Sequence, residues 1–199
     1  MEFVDVVGAR HMVRAFDRRP IDPTVVDGLI DLARRAPSAG NTQPWAFVVL
    51  SGVEETGPLW DVTLPVDRRA GFRWPGLLDA PVVIVPLVSP AAYVARYAEE
   101  DKAASGLGAA AEAWQVPYWW VDGGMAVHGL LLGAVDAGLG ALFYGLFDHE
   151  DAVLTHLGVP EGWRALGAVA LGYPAAAPPG RSATRPRPSL DTVIHRGRW

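Results

Sequence analysis

Two arginine clusters stand at opposite ends of the chain: Arg10, His11 and Arg14 near the start, and Arg185 and Arg187 near the end, with Arg181, Arg196 and Arg198 around them. A guanidinium is a planar fork of donors that matches a phosphate bidentately, so two clusters folded together could grip one anion. Solvated surface charge is the competing reading, and composition alone favours it. A third feature is the stretch Pro37-Ser38-Ala39-Gly40-Asn41-Thr42-Gln43-Pro44, small residues with free backbone N–H groups and two side-chain amides. It either presents donors to a planar heterocycle or is a connector whose amides satisfy their own backbone. Spacing leaves both open.

Other chemistries lack their residues. Cysteine is absent, which removes disulfides, thiolate nucleophiles, iron–sulfur clusters and thiolate zinc sites. His11, His128, His149, His156 and His195 show no ligand spacing; His149-Glu150 does not continue into H-E-x-x-H, and no metal is expected. His128 reads as a buried, hydrogen-bonded imidazole. Gly106-x-Gly108-x-x-Ala111 follows charged residues, where a dinucleotide fingerprint needs a strand running into a helix. Ser38 lacks the G-x-S-x-G elbow. The 17 basic against 22 acidic side chains give a net charge of −5, no footprint for nucleic acid or an anionic membrane.

These groups need a frame to position them. With 199 residues, 50% hydrophobic and 20% charged, one domain over 1–199 can bury a core of its own. Asp22 as a cap, Pro23 in the first turn and Val26, Leu29, Ile30 and Ala33 at helical spacing predict a helix over 22–36, stopped by Pro37. Trp45 to Leu50 and Val82 to Val85 read as core strands. Residues 122–137, starting at Asp122, are apolar almost all round and predict a helix buried on every side. A strand over 141–144, a helix from an Asp148 cap to Gly158 and a strand over 166–171 complete an α+β pattern. Residues 174–188 are too rich in Pro and Ala for a regular element; 174–199 is expected to run as an extended arm. In the segment 91–120, Ala-rich helical sequence gives way to Trp114, Tyr118, Trp119 and Trp120, and this is the part of the chain whose elements the sequence defines least.

Four segments in order, RHMVRAFD at 10–17, ARRAPSAGNTQPWAFVVL at 33–50, GLGALFYGLF at 138–147 and ALGYP at 170–174, resemble the FMN-dependent nitroreductase family over nearly the whole chain. The P-S-x-x-N-x-Q-P-W string is the most specific of them. The resemblance implies a central mixed sheet flanked by helices, in an intertwined homodimer with an extended C-terminal arm and FMN at the subunit interface. It implies that Arg10, His11, Met12 and Arg14 contact the phosphate and ribityl chain, completed by Arg185 and Arg187. Pro37, Ser38, Ala39 and Asn41 are then the partner subunit's contribution along the isoalloxazine ring. Phe143, Tyr144, Gly145 and Leu146 correspond to the segment under its other face. Met12 departs from the Ser of many members, Arg73 from an amide-bearing ring contact, and Gly145 from an acidic residue found in some. The segment 91–120 falls where lids vary.

The activity implied is ping-pong oxidoreduction: hydride from NAD(P)H to flavin N5, then to a flat electron-poor acceptor such as a nitroaromatic, quinone or enone. Relatives with other chemistry (flavin fragmentation, dehalogenation, oxidation of peptide-derived substrates) and non-catalytic flavin or deazaflavin binders are the alternatives. The N-terminal stretch has Glu2 and Asp5 and no signal-like apolar run, and no stretch is long enough to span a bilayer, so a cytoplasmic protein without membrane or nucleic-acid partners is expected.

Overall fold

The computed structural model describes residues 1–178, 180 and 183–199. Its elements in order are α1 (Phe3–Ala9), β1 (Phe16–Asp17), α2 (Pro23–Ala33), β2 (Trp45–Ser51), α3 (Val53–Thr63), α4 (Val66–Arg69), β3 (Val82–Val88), α5 (Pro90–Tyr97), α6 (Tyr118–Asp136), β4 (Gly140–Tyr144), α7 (Glu150–His156), β5 (Arg164–Ala165), β6 (Ala168–Pro174) and α8 (Leu190–Val193). The expected α2 forms, and the Asp22 carboxylate accepts the Thr24 N–H at 2.8 Å as its cap.

β3 lies between β2 and β6, and β6 lies between β3 and β4, so the two apolar strands occupy the middle of the sheet. All the strand pairs are antiparallel, so the sheet is antiparallel and not mixed as expected; Met12, outside the strands, forms an isolated parallel bridge with Ala141. Side chains alternate across β3 as strand geometry requires. Val83, Val85 and Leu87 pack on one side with Leu59 and Trp60 of α3 and Val153 of α7. Val82 and Ile84 pack on the other with Val26 and Leu29 of α2 and Leu130 of α6. Both faces of the sheet are thus covered, which is why β3 reads as an uninterrupted apolar run. Leu130 is fully buried, and truncating such a side chain to Ala costs about 2–5 kcal/mol.

Several expectations change. The helix expected at 122–137 begins at Tyr118, so Asp122 is an interior, buried helical residue and not a cap. Nor is that helix buried on every side: Val121 and Met125 are exposed, and so is His128, one turn further along the same stripe. Its general hydrophobicity masked an outward face, because periodicity cannot tell a core-facing apolar residue from one left for another surface. The helix expected from Asp148 starts at Glu150 behind a tight 3-10 turn. β2 is half-buried along most of its length, as suits an edge strand.

Candidate functional site

The two chain ends are brought together by backbone pairing. Phe16 and Asp17 of β1 pair with Pro174 and Tyr173 of β6, the Ala175 N–H donates to the Ala15 carbonyl at 2.9 Å, and the Val13 N–H donates to Ala141 at 3.0 Å. The segment 10–14 therefore runs beside the start of the C-terminal segment, the expected arm, which is not extended throughout because it contains α8. Arg10, His11, Met12, Arg14 and Arg187 line one cavity of about 610 Å³, closed by Pro174, Pro178 and Gly180 of the arm. The arm approaches so closely that a Cβ on Gly180 would stand 2.8 Å from Arg14 Nη1. Among the described residues no carboxylate lines this cavity, although the chain as a whole is acidic at −5. A local concentration of guanidinium donors without counter-charge is the electrostatic form of an anion site. Arg185 is exposed on the arm and does not line the cavity; Arg181 lies outside the described residues.

Arg14 also lines a second cavity, of about 430 Å³. Its walls are apolar and aromatic: Trp60 from α3, Phe72 and Trp74 from the loop before β3, and Phe143, Tyr144, Gly145 and Leu146 from the end of β4 and beyond. The Arg14 guanidinium lies 5.3 Å from the centroid of the Trp74 ring, with Arg73 at 5.3 Å from the same ring, and Trp60 stacks on Tyr144 at 5.9 Å. Among the described residues, Trp60 Nε1, Trp74 Nε1 and the Tyr144 hydroxyl are buried without hydrogen-bond partners. Burial pushes the Tyr144 phenol pKa upward, so it stays a donor. An unpartnered buried donor costs about 1–3 kcal/mol; these three atoms lie beneath the cavity surface, on residues that line it. At Gly145 there is little spare room: a Cβ would stand 2.9 Å from the Phe147 ring. Phe147 itself is exposed.

Trp60, Phe72 and Trp74 are absent from the sequence-derived site. Their neighbourhood depends on α3 and the 72–78 loop folding over β4, which no local pattern announces. Nothing distinguishes them in sequence from ordinary core aromatics.

The loop after α2 is placed elsewhere. Pro37, Ser38, Ala39 and Asn41 line neither of these cavities; Ala39 borders a third, of about 560 Å³, with Tyr97, Trp114 and Tyr118. Much of the loop's polarity is used internally: Ser38 Oγ accepts the Gln43 N–H at 2.9 Å, the Asn41 N–H donates to Ser38 at 2.8 Å, and Thr42 Oγ1 donates to Ala39 at 2.6 Å. The Ala39 N–H is spent on Asp122 Oδ2 at 2.7 Å, so it is not a donor to any ligand. The self-satisfied connector thus describes the backbone, while Asn41 stays exposed. Of the aromatics in 91–120, Trp114 and Trp119 are buried against Tyr93 in a small separate core, and Tyr118 is exposed.

Among the described residues no group of three or more His, Cys, Asp or Glu could hold a metal ion, and no helix is long and apolar enough to cross a membrane. The arrangement suits one ligand with an anionic tail and a flat head, laid across Arg14.

Comparison with known proteins agrees with this frame. A protein of Methanothermobacter thermautotrophicus that carries the name NADH dehydrogenase/NAD(P)H nitroreductase is 26% identical over 203 residues, covering 100% of this chain and 88% of its own. The 5,6-dimethylbenzimidazole synthase of Rhodospirillum rubrum is 30% identical over 178 residues, covering 83% of this chain and 78% of its own. Among solved structures, a nitroreductase of Desulfovibrio desulfuricans in complex with FMN superposes with a TM-score of 0.69 at 20% identity, covering 98% of this chain and 95% of that one. Residues 7–173 match the Nitroreductase family, and the chain belongs to that family.

Proposed function

We propose that the chain is an FMN-dependent oxidoreductase of a flat, electron-poor acceptor, with NAD(P)H as reductant and two copies of the chain forming each site. The observation that carries this reading is the position of Arg14, which lines both the arginine cavity and the aromatic cavity. The residues present fit the group. Arg10, His11, Arg14 and Arg187 would hold the phosphate and ribityl chain, with His11 Nδ1 tied to the Ala9 carbonyl at 2.9 Å. Met12 brings no hydroxyl, so the guanidinium groups carry the anion. Phe143, Tyr144, Gly145 and Leu146 would lie under the ring, in the cavity that Trp60, Phe72 and Trp74 also line. Arg14 beside that ring would favour the more electron-rich reduced state. When bound, FMN supplies the redox chemistry, taking a hydride at N5 from NAD(P)H and passing two electrons to a nitroaromatic, quinone or enone.

What this chain contributes is position and exclusion of water. The aromatic cavity is lined mostly by apolar and aromatic side chains, and a second copy of the chain would add Pro37, Ser38 and Asn41 to it. Support for a homodimer comes from the exposed stripe of Tyr118, Val121 and Met125 on α6 and from the exposed Leu190, Val193, Ile194 and Trp199 of the arm. Arg185, exposed on the same arm, stays close enough in sequence to Arg187 to join the clamp on assembly. A cysteine-free composition suits the reducing cytoplasm.

The test is the visible absorption spectrum of the purified protein, with released flavin identified by chromatography, followed by anaerobic mixing with NADH and NADPH. Flavin absorption that bleaches rapidly supports the reading. A colourless protein that takes up no FMN contradicts it. Flavin fragmentation in the same pocket is a second reading, favoured by the 30% identity to a 5,6-dimethylbenzimidazole synthase. It predicts a bound flavin that neither nucleotide reduces.

A further inference from the structure

We propose that Asp122 is a positioning residue, whose buried carboxylate holds the Ser38–Gln43 loop in the shape that offers the Asn41 amide to the flavin ring of the site shared with a second copy. The inference rests on the reading that this loop borders that ring. Asp122 sits inside α6 at 2% exposure. Its Oδ2 accepts two hydrogen bonds, from the Ala39 N–H at 2.7 Å and from the Tyr93 hydroxyl at 2.6 Å. A carboxylate in a core is costly unless paired, and an apolar residue of similar volume would serve packing at least as well. The acceptor oxygen is therefore placed for what it holds, and what it holds is the first residue of the loop's tight turn.

That turn needs holding. Gly40, Asn41 and Gln43 have φ of 63°, 53° and 50°, the left-handed region, which side chains other than glycine adopt only against a free-energy cost. Such conformations persist where the surroundings over-determine them, typically at ligand sites. Here they are fixed from two elements. α6 provides Asp122. α5 provides Tyr93, the Arg96 Nε donor to the Gly40 carbonyl at 2.9 Å, and Tyr97, whose ring lies 2.8 Å from where a Gly40 Cβ would stand. Arg96 is itself anchored by two bonds to Asp101, at 2.7 and 2.8 Å. Gln43 Nε2 donates to Asn41 Oδ1 at 3.2 Å, which leaves the exposed Asn41 NH2 as the loop's outward donor. The segment after β3 thus serves as a brace for the 38–43 loop.

The experiment measures FMN dissociation constants and flavin midpoint potentials for the full-length wild type and for Asp122→Ala, Asp122→Asn and Tyr93→Phe, with thermal stability recorded alongside. Because both bonds fall on one oxygen, an amide oxygen can accept them, so Asp122→Asn is expected to stay within about twofold of wild type. Asp122→Ala is expected to bind FMN about tenfold more weakly or worse and to lower the midpoint potential, since loosened donors no longer favour the reduced state. Tyr93→Phe is expected to weaken binding a few-fold, and with Asp122→Asn it decides the matter if Asp122→Ala does not fold. Wild-type affinity and potential in Asp122→Ala or Tyr93→Phe would overturn the proposal. So would an Asn variant as impaired as the Ala variant, because the charge and not the hydrogen bonds would then be responsible. A wild type that binds no FMN would overturn the functional reading and this proposal together; unaffected variants of a flavin-binding wild type would overturn this proposal alone.

Discussion

Arg14 and Arg187 come from opposite ends of the chain and line one cavity, and Arg14 continues from it into the aromatic cavity walled by Tyr144. The meeting depends on backbone pairing of β1 with the end of β6, not on the charges themselves, which would repel without an anion between them. A site whose frame is built from apolar strands and whose like charges converge is pre-organised for a ligand that neutralises them.

Removing one of these guanidinium groups should therefore act on the ligand and not on the fold. Arg187→Ala and Arg10→Ala are each expected to weaken FMN retention by about 1.5–3 kcal/mol, the worth of a charge-assisted hydrogen bond. Thermal stability of the flavin-free protein should be unchanged or slightly raised. Equilibrium dialysis against FMN, paired with thermal melts, checks both; unchanged retention in both variants would return these residues to solvated surface charge.

Tyr144→Phe should separate stability from binding. The hydroxyl is buried without a partner among the described residues, so its removal is expected to raise the stability of the flavin-free protein by about 1 kcal/mol. If the hydroxyl serves a ligand, the same change weakens FMN or acceptor affinity. Melts and titrations moving in the same direction would show that the hydroxyl has no such role.

What could be read in the sequence follows from where each signal resides. The Asp22 cap and the uninterrupted apolar run of β3 are local signals, and each stands where its residue pattern places it; of the arginine clusters, Arg10, Arg14 and Arg187 line one cavity and Arg185 does not. Trp60 and Trp74 meet Tyr144 only because α3 and the 72–78 loop close over the sheet, and no spacing encodes that. Asp122 looked like a helix start because an acidic residue ahead of an apolar run is the usual cap pattern. The helix in fact extends a further turn back, through Tyr118 and Trp119, and its aromatic residues hid that turn. Between α5 and α6 the chain is held by short turns, with Trp114 and Trp119 packed on Tyr93, and such turns leave no periodic pattern.

Acid should release the contact that ties α7 to β5. Glu150 accepts from Arg164 Nε at 2.8 Å and Nη2 at 3.0 Å and from the Ala165 N–H at 3.0 Å. Hydrogen bonding from Arg164 outweighs desolvation and holds its pKa below the ordinary 4.5. A depressed carboxylate pKa stabilises the fold fully above the unfolded value, and the stabilisation is lost as pH falls through the folded one. Glu150→Gln is expected to cost about 1 kcal/mol at pH 7 and progressively less below pH 4.5. Thermal melts of both proteins across pH 2.5–7 (roughly the range spanning carboxylate titration) check the sign; a gap that widens in acid would contradict it.

The exposed stripe on α6 gives a test of assembly. Met125 is 39% exposed beside Val121 and Tyr118, and Met125→Glu would bury an unpaired carboxylate if this stripe meets a second copy. Sedimentation is expected to show at least about a hundredfold weaker dimer, with weaker FMN binding in proportion. A variant that sediments and binds like wild type would place the interface elsewhere.

The most direct measurement is a titration of the flavin-free protein with FMN and, separately, with riboflavin, which has the same ring and lacks the phosphate. Arginines from both chain ends gripping one phosphate require FMN to bind at least about a hundredfold more tightly than riboflavin, with that advantage falling about tenfold or more in Arg187→Ala. Equal affinity for the two flavins, or binding of neither, would contradict the account.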